Sequence, residues 1–221
     1  MFSWLEKNPF FFAVFLFIVV AYAGLVTVLP SFKEIARPVE GTKPYTVLET
    51  AGRHIYIKEN CSGCHSQKIR PFKSETDRYG RYSVSGEYAY DRPFLWGSKR
   101  TGPDLLRVGN YRTSDWHENH MKSPASIVPG SIMPAYPHLY KKKADIETAY
   151  AEAVTVKAVF NTPYDAPGMP VLGTWEEAQE RALEEAKAVV AGMKGQDVQD
   201  AINNGEILEI VALIAYMNSL K

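Results

Sequence analysis

The longest apolar run in the chain comes first: residues 10–29 carry no charged side chain, and most of them are Phe, Val, Leu, Ile or Ala. At about 1.5 Å of rise per residue such a run spans a hydrocarbon core of about 30 Å, so the pattern predicts a single transmembrane helix. Ala21, Tyr22 and Ala23 also fit the small-x-small site of a cleaved signal peptide. The apolar run continues past Ala23, Glu6 stands beside Lys7 ahead of it, and the chain starts at Met1 with the segment in place. A retained anchor is the expectation.

Pro30, Pro38, Gly41 and Pro44 punctuate residues 30–45 and predict an extended tether. Beyond it the apolar positions return with helical period. Residues 46–60 place Val47, Leu48, Ala51, Ile55 and Tyr56 on one face, and residues 206–220 do the same with Ile207, Ile210, Val211, Ile214 and Met217. These two helices are expected to pack together.

Thr113, Ser114 and Asp115 signal a helix start, followed by residues 116–122 and stopped by Pro124. Residues 145–160 and 175–193 are helical by their Ala, Glu and Lys content, with residues 163–173 between them as a break. Residues 66–100, rich in Arg, Tyr, Ser and Gly, have little period; they predict a long ordered loop with a short hairpin around residues 82–90. The fold class is mainly α: an anchor over 1–30, a tether over 31–45 and a folded domain over 46–221, with 141–205 as a helical insertion.

The chain has 25 Lys and Arg against 25 Asp and Glu, but the charge is unevenly placed. Residues 31–143 hold 19 basic and 11 acidic side chains, and residues 144–221 hold 5 and 13. A basic half suits an anionic cofactor or a partner surface, although ordinary solvated faces would give the same count. The basic residues form no dense stripe, so nucleic acid is not suggested.

Only two cysteines occur, both within Asn60-Cys61-Ser62-Gly63-Cys64-His65. Cys-x-x-Cys-His is the attachment signature of c-type haem: two thiols reach the two vinyl groups of one porphyrin edge, and the next residue turns its imidazole to the iron. A thioredoxin-like dithiol would need a βαβ setting that the sequence lacks. A zinc site would need a second ligand pair, for which only His117 and His120 offer themselves. One covalent haem c, on Cys61 and Cys64 with His65 as axial ligand, is therefore expected.

For the sixth position the methionines Met121, Met133, Met169, Met193 and Met217 and the other four histidines compete. Met133 stands out because it lies in a proline-bounded loop, Pro129 to Pro137, where a thioether can be aimed; Met169, also flanked by proline, is its rival. A His/Met pair favours the reduced iron relative to His/His. The imidazole of His65 needs an acceptor for its second ring nitrogen, and the carbonyl of Pro103 offers one. Arg100, Arg107, Arg112 and Trp116 are available to the haem propionates. His117 and His120 lie three apart on one helical face, where they could bind a metal or reach a propionate; the favoured reading of both, as of His54 and His138, is an ordinary hydrogen-bonded histidine.

Gly52 and Tyr56 ahead of the motif, Thr101-Gly102-Pro103-Asp104-Leu105 after it, Met133 on its loop and Leu213-Ile214-Ala215-Tyr216-Met217 in the last helix together resemble class I cytochromes c. The runs 96–105 and 126–136 are more specific. Through them the whole chain looks like the membrane-anchored monohaem subunit, called CcoO or FixO, of cbb3-type cytochrome c oxidases. The resemblance implies an electron relay beside a haem-copper catalytic subunit and a dihaem cytochrome c subunit.

Charge alone, with Lys33, Arg37 and Lys43 following the span, would place the domain in the cytoplasm. Haem attachment takes place outside the bacterial cytoplasm, so the domain is expected in the periplasm, with the N-terminus cytoplasmic at the inner membrane. Two alternatives stay open from the residues: the monohaem subunit of a nitric oxide reductase, and a haem peroxidase or sensor with an open sixth site.

Overall fold

The computed structural model describes residues 2–33 and 37–221. Among these residues the α-helices are α1 (Phe2–Glu6), α2 (Pro9–Lys33), α3 (Val47–Lys58), α4 (Lys73–Tyr79), α5 (Ser114–Lys122), α6 (Pro124–Ile127), α7 (Ile146–Phe160), α8 (Trp175–Val190), α9 (Gln196–Asn203) and α10 (Glu209–Ser219). Their only β pairing is an isolated bridge between Lys143 and Leu208.

Every residue from 10 to 29 is exposed, on all sides of α2. An apolar helix without a polar face needs hydrocarbon around it, and its Pro9–Leu29 stretch is long and apolar enough to cross a membrane. The helix runs on through Pro30 to Lys33, because a proline removes one N–H from the ladder without forbidding the turn that follows. Residues 34–36 of the expected tether lie outside the described residues; residues 37–46 contain no helix or strand.

The domain is organised on the crossing of α3 and α10. Thr46 caps α3: its hydroxyl accepts from the Glu49 N–H while the Glu49 carboxylate accepts from the Thr46 N–H, which satisfies two donors that a helix start leaves open. All five expected apolar positions of α3 are buried, as are Ile207, Ile210, Val211, Ile214 and Met217 at the other end of the chain. The helices touch at Gly52, where a Cβ would stand 1.9 Å from the Ala212 carbonyl oxygen and 2.8 Å from the Tyr216 Cβ. One turn on, Tyr56 and Tyr216 meet edge to face with centroids 5.4 Å apart.

Residues 141–205 wrap this pair. Ala149 and Ala153 of α7 and the stripe Ala178, Ala182, Ala186 and Val190 of α8 are buried in the same core, where small side chains allow close approach. His54 of α3 meets Glu152 of α7 at 2.5 Å, and Thr46 donates to Glu185 of α8 at 3.0 Å. Sequence pattern did not separate α9, whose Val198 and Ile202 are buried in the same core.

The hairpin expected around residues 82–90 is not formed. That segment folds as a 3₁₀ turn, Ser85–Tyr88, preceded by α4. Its backbone is satisfied by single contacts instead of a ladder: Ser83 N–H donates to the Ile69 carbonyl, the Ser83 hydroxyl accepts from Ile69 N–H, and the Tyr88 hydroxyl donates to the Gln67 carbonyl. Alternating Tyr and Ser can mimic a strand in sequence, but no second strand lies alongside to pair with it.

Candidate haem site

The attachment motif leaves the end of α3 in a tight reversal. Asn60 takes a left-handed conformation (φ 54°), Cys61–Gly63 forms a 3₁₀ turn, and the His65 N–H donates to the Cys61 carbonyl at 2.9 Å. This turn buries Cys61 and leaves Cys64 exposed, both as free thiols. Burial, then the charge of Glu59, pushes the Cys61 thiol up to about 12. A redox dithiol depends on a depressed thiol pKa, so the environment of Cys61 speaks against that reading.

The His65 ring stands 2.8 Å, through Nδ1, from the carbonyl oxygen of Pro103. With Nδ1–H donated there, Nε2 carries the free lone pair, which is the atom an iron would take. Burial holds His65 below the usual histidine range, opposed by the Pro103 carbonyl and by Asp104. Gly102 lies flat on the ring: a Cβ there would stand 2.2 Å from His65 Cε1.

The run Thr101-Gly102-Pro103-Asp104-Leu105 is held against the motif by its own backbone. Gly102 N–H donates to the Cys64 carbonyl and Leu105 N–H to the Ser66 carbonyl. Buried Asp104 accepts from the Ser66 hydroxyl at 2.6 Å, Lys68 N–H at 2.8 Å and Leu106 N–H at 2.9 Å. Arg100 then bridges outward, donating to Ser66 and to Glu75 of α4. The Arg100 guanidinium, joined by the Arg70 N–H and side chain, holds Glu75 down at about 2.

Met133 is half-buried and packs against the main core from its proline-bounded loop; Tyr136 N–H donates to the Met121 carbonyl and ties the end of that loop to α5. Met121, Met193 and Met217 are buried within the core. Met169 sits in the turn between α7 and α8, its N–H donating to the Ala166 carbonyl.

The arginines divide sharply. Arg100 is committed to Glu75, Ser66 and the Lys68 carbonyl, and Arg107 to Glu87 and the Lys221 carbonyl. Arg112 has no such acceptor among the described residues; its guanidinium stacks over Trp116 at 4.3 Å. The histidines divide too. His54 and His138 pair with Glu152 and Glu59, as ordinary histidines do. His117 does not: it is 1% exposed, and neither of its ring nitrogens has a partner. Sequence reasoning weighed a metal or propionate contact for it and favoured a hydrogen-bonded histidine, because spacing cannot show which groups oppose a buried ring.

No three His, Cys, Asp or Glu side chains gather as a metal-ion site among the described residues. The donor set instead suits a haem: two free thiols within one turn, followed at once by an imidazole whose Nδ1 is engaged by a carbonyl. The Gly52 crossing, the motif between the two terminal helices and the proline carbonyl on its histidine define a mainly helical, class I cytochrome c-like domain, here behind one apolar N-terminal helix. The family model described as "Cytochrome C oxidase, mono-heme subunit/FixO" matches residues 2–221, and the chain belongs to that family, the monohaem subunits of a cytochrome c oxidase complex. No curated protein matches the chain.

Proposed function

We propose that the chain is the electron-relaying subunit of a cbb3-type oxidase, passing single electrons toward an oxygen-reducing haem-copper subunit and receiving them beside a dihaem cytochrome c subunit. The observation that carries this reading is the attachment turn itself: Cys61 and Cys64 at one edge and His65 with Nδ1 engaged by Pro103. The haem, when bound, supplies one-electron exchange between ferric and ferrous iron.

Within this reading Cys61 and Cys64 form the thioether bonds. His65 offers Nε2 and is kept from turning by Pro103 and by the flat face of Gly102. Met133 would supply its thioether as the second protein ligand to the iron, and with both ligands kept through the redox cycle no substrate would react on this chain. A preorganised ligand pair limits rearrangement during electron exchange, the same reason catalytic groups are held rigid elsewhere. Arg112, stacked on Trp116, would be available to the cofactor's propionates. The domain stands on the periplasmic side of the bacterial inner membrane, with α2 crossing the bilayer once and the N-terminus in the cytoplasm.

The test is purification of the complex from membranes. Haem that stays on this chain through denaturing electrophoresis, together with copper, a dihaem partner and oxygen consumption, is the expected result. A complex that reduces nitric oxide and not oxygen would overturn the oxidase reading. Haem that washes off this chain under denaturation would overturn covalent attachment.

A further inference from the structure

The stretch that the sequence reads as an extended tether is fastened to the domain. Val39 N–H donates to the Gly86 carbonyl at 3.3 Å, Thr42 N–H closes a turn onto the Val39 carbonyl, and the Tyr45 carbonyl accepts from the Tyr164 hydroxyl at 2.8 Å. The Tyr45 ring meets Tyr216 of α10 edge to face, with centroids 5.5 Å apart. Residues 39–45 form a strap that is pinned at both ends.

Gly86 makes the first pin possible. A Cβ there would stand 2.7 Å from the Arg37 carbonyl oxygen and 2.9 Å from the Val39 nitrogen, backbone atoms that cannot swing aside. Its φ lies outside the left-handed region, so the turn itself would accept a side chain; the close approach of the strap is what requires glycine. The same turn is tied to the attachment motif. The Tyr88 hydroxyl donates to the carbonyl of Gln67, which follows His65 closely in the chain, and the Glu87 carboxylate accepts from Arg107 at 2.8 Å.

The other end of the strap leads at once to the apolar helix. α2 ends at Lys33, and the chain from there to Arg37 spans at most about 14 Å even when fully extended. α2 also touches α7. Phe160, the last residue of α7, lies under the Arg92 guanidinium at 5.0 Å, in the loop that follows the Gly86 turn. Helix and domain are therefore joined at two places instead of by a free linker.

We propose that this strap sets the position of the haem relative to the membrane helix, with Gly86 as a positioning residue for electron exchange. The assignment rests on the relay reading above. A flexible leash lets a domain sample a volume that grows with leash length, so the haem would meet its neighbour for only a fraction of the time. A clasped strap removes that freedom before partner subunits contribute anything. Electron exchange falls steeply with the gap between two haems, so it gains from a fixed position. The path from the helix to the axial histidine runs through Val39, Gly86, Tyr88 and Gln67.

The test uses the complete complex in lipid nanodiscs and compares wild type, Gly86→Leu and a flexible Gly/Ser insertion of about six residues between Ala36 and Arg37. Gly86→Leu opens the clasp at constant tether length; the insertion lengthens the path and leaves the clasp closed. Both should slow electron transfer from this haem to the oxygen-reducing centre several-fold, measured by stopped-flow spectroscopy, while the midpoint potential and optical spectrum of the haem stay unchanged. Glutamyl endopeptidase reads the clasp directly, since proteolysis follows the population of locally opened chain. Exposed Glu40 should be cut several-fold faster in Gly86→Leu than in wild type. Should Gly86→Leu fail to accumulate, the insertion decides, because it replaces no residue of the domain. Wild-type transfer rates in the insertion variant, or equal cutting at Glu40 in wild type and Gly86→Leu, overturn the proposal. A wild-type complex that passes no electrons to oxygen would instead overturn the relay reading, and slow cutting at Glu40 would still uphold the clasp.

Discussion

His65 and Pro103, far apart in sequence, meet through a 2.8 Å contact between an imidazole nitrogen and a carbonyl oxygen. The contact is rigid from both sides. His65 follows the 3₁₀ turn of the cysteines, and Pro103 lies between Gly102, bonded to Cys64, and Asp104, bonded to Ser66 and Lys68. Orientation of the imidazole is thus set by a loop that shares its backbone with the motif.

Gly102→Ala tests that orientation. The added carbon would stand 2.2 Å from His65 Cε1 and 2.7 Å from Nδ1, closer than atoms can approach, so the ring or the loop must move. Haem should still attach, because the thiols are untouched, while the midpoint potential and the low-spin optical spectrum change. A wild-type spectrum and potential in this variant would mean that the Pro103 contact does not govern the axial ligand.

Gly52→Ala tests the helix crossing apart from the haem. A Cβ only 1.9 Å from the backbone oxygen of Ala212 forces α3 and α10 apart, and overpacking of this kind costs about 3 kcal/mol. Thermal unfolding followed by far-ultraviolet circular dichroism should show a lowered midpoint, with the optical spectrum of surviving protein unchanged.

Met133→Ala should leave the iron with one protein ligand on the His65 side. The expected result is a lower midpoint potential and new affinity for added imidazole or carbon monoxide, measured by optical titration. A variant that keeps wild-type behaviour in both would transfer the role to another side chain, Met169 being the first to examine by the same substitution.

Glu75 makes the loop around His65 sensitive to acid. Its folded pKa of about 2 lies below the ordinary carboxylate value of 4.5, so its stabilising contribution is present above about pH 4.5 and is lost as pH falls toward 2. Glu75→Gln should be destabilised relative to wild type at neutral pH, and the difference should close on acidification. Urea unfolding across that range measures it, and a gap that stays constant with pH would show that Glu75 contributes no charge to the clasp with Arg100.

Glu185 has the opposite sign. Burial first, then the nearby Glu49 carboxylate, raises it to about 7, against the hydrogen bond from Thr46. Its contribution is present below about pH 4.5 and lost as pH rises through 7. Glu185→Gln should therefore melt above wild type at about pH 8 and approach it in acid. A variant less stable than wild type at about pH 8 would show that the ionised carboxylate is accommodated where it stands.

Much of the architecture follows from local pattern. The apolar run of α2 is long enough to cross a bilayer core, and the periodic positions of α3 and α10 identified each buried face without reference to the other helix. The proposed attachment residues Cys61, Cys64 and His65 are legible because they fall within one short motif. The caps at Thr46, Thr113 and Asp145 are equally local, since a helix start is satisfied by residues within one turn of it.

Other features depended on groups brought together from distant parts of the chain. Nothing local distinguishes Arg112 from Arg100 and Arg107; they differ because α4 brings Glu75 to one and the 3₁₀ turn brings Glu87 to another. The missing hairpin at residues 82–90 has the same origin, since a strand exists only where a second strand lies beside it. His117 shows the limit most clearly. Its place on a helical face could be read from spacing, but a hydrogen bond is a property of two groups, and only tertiary packing left both of its nitrogens buried with no partner.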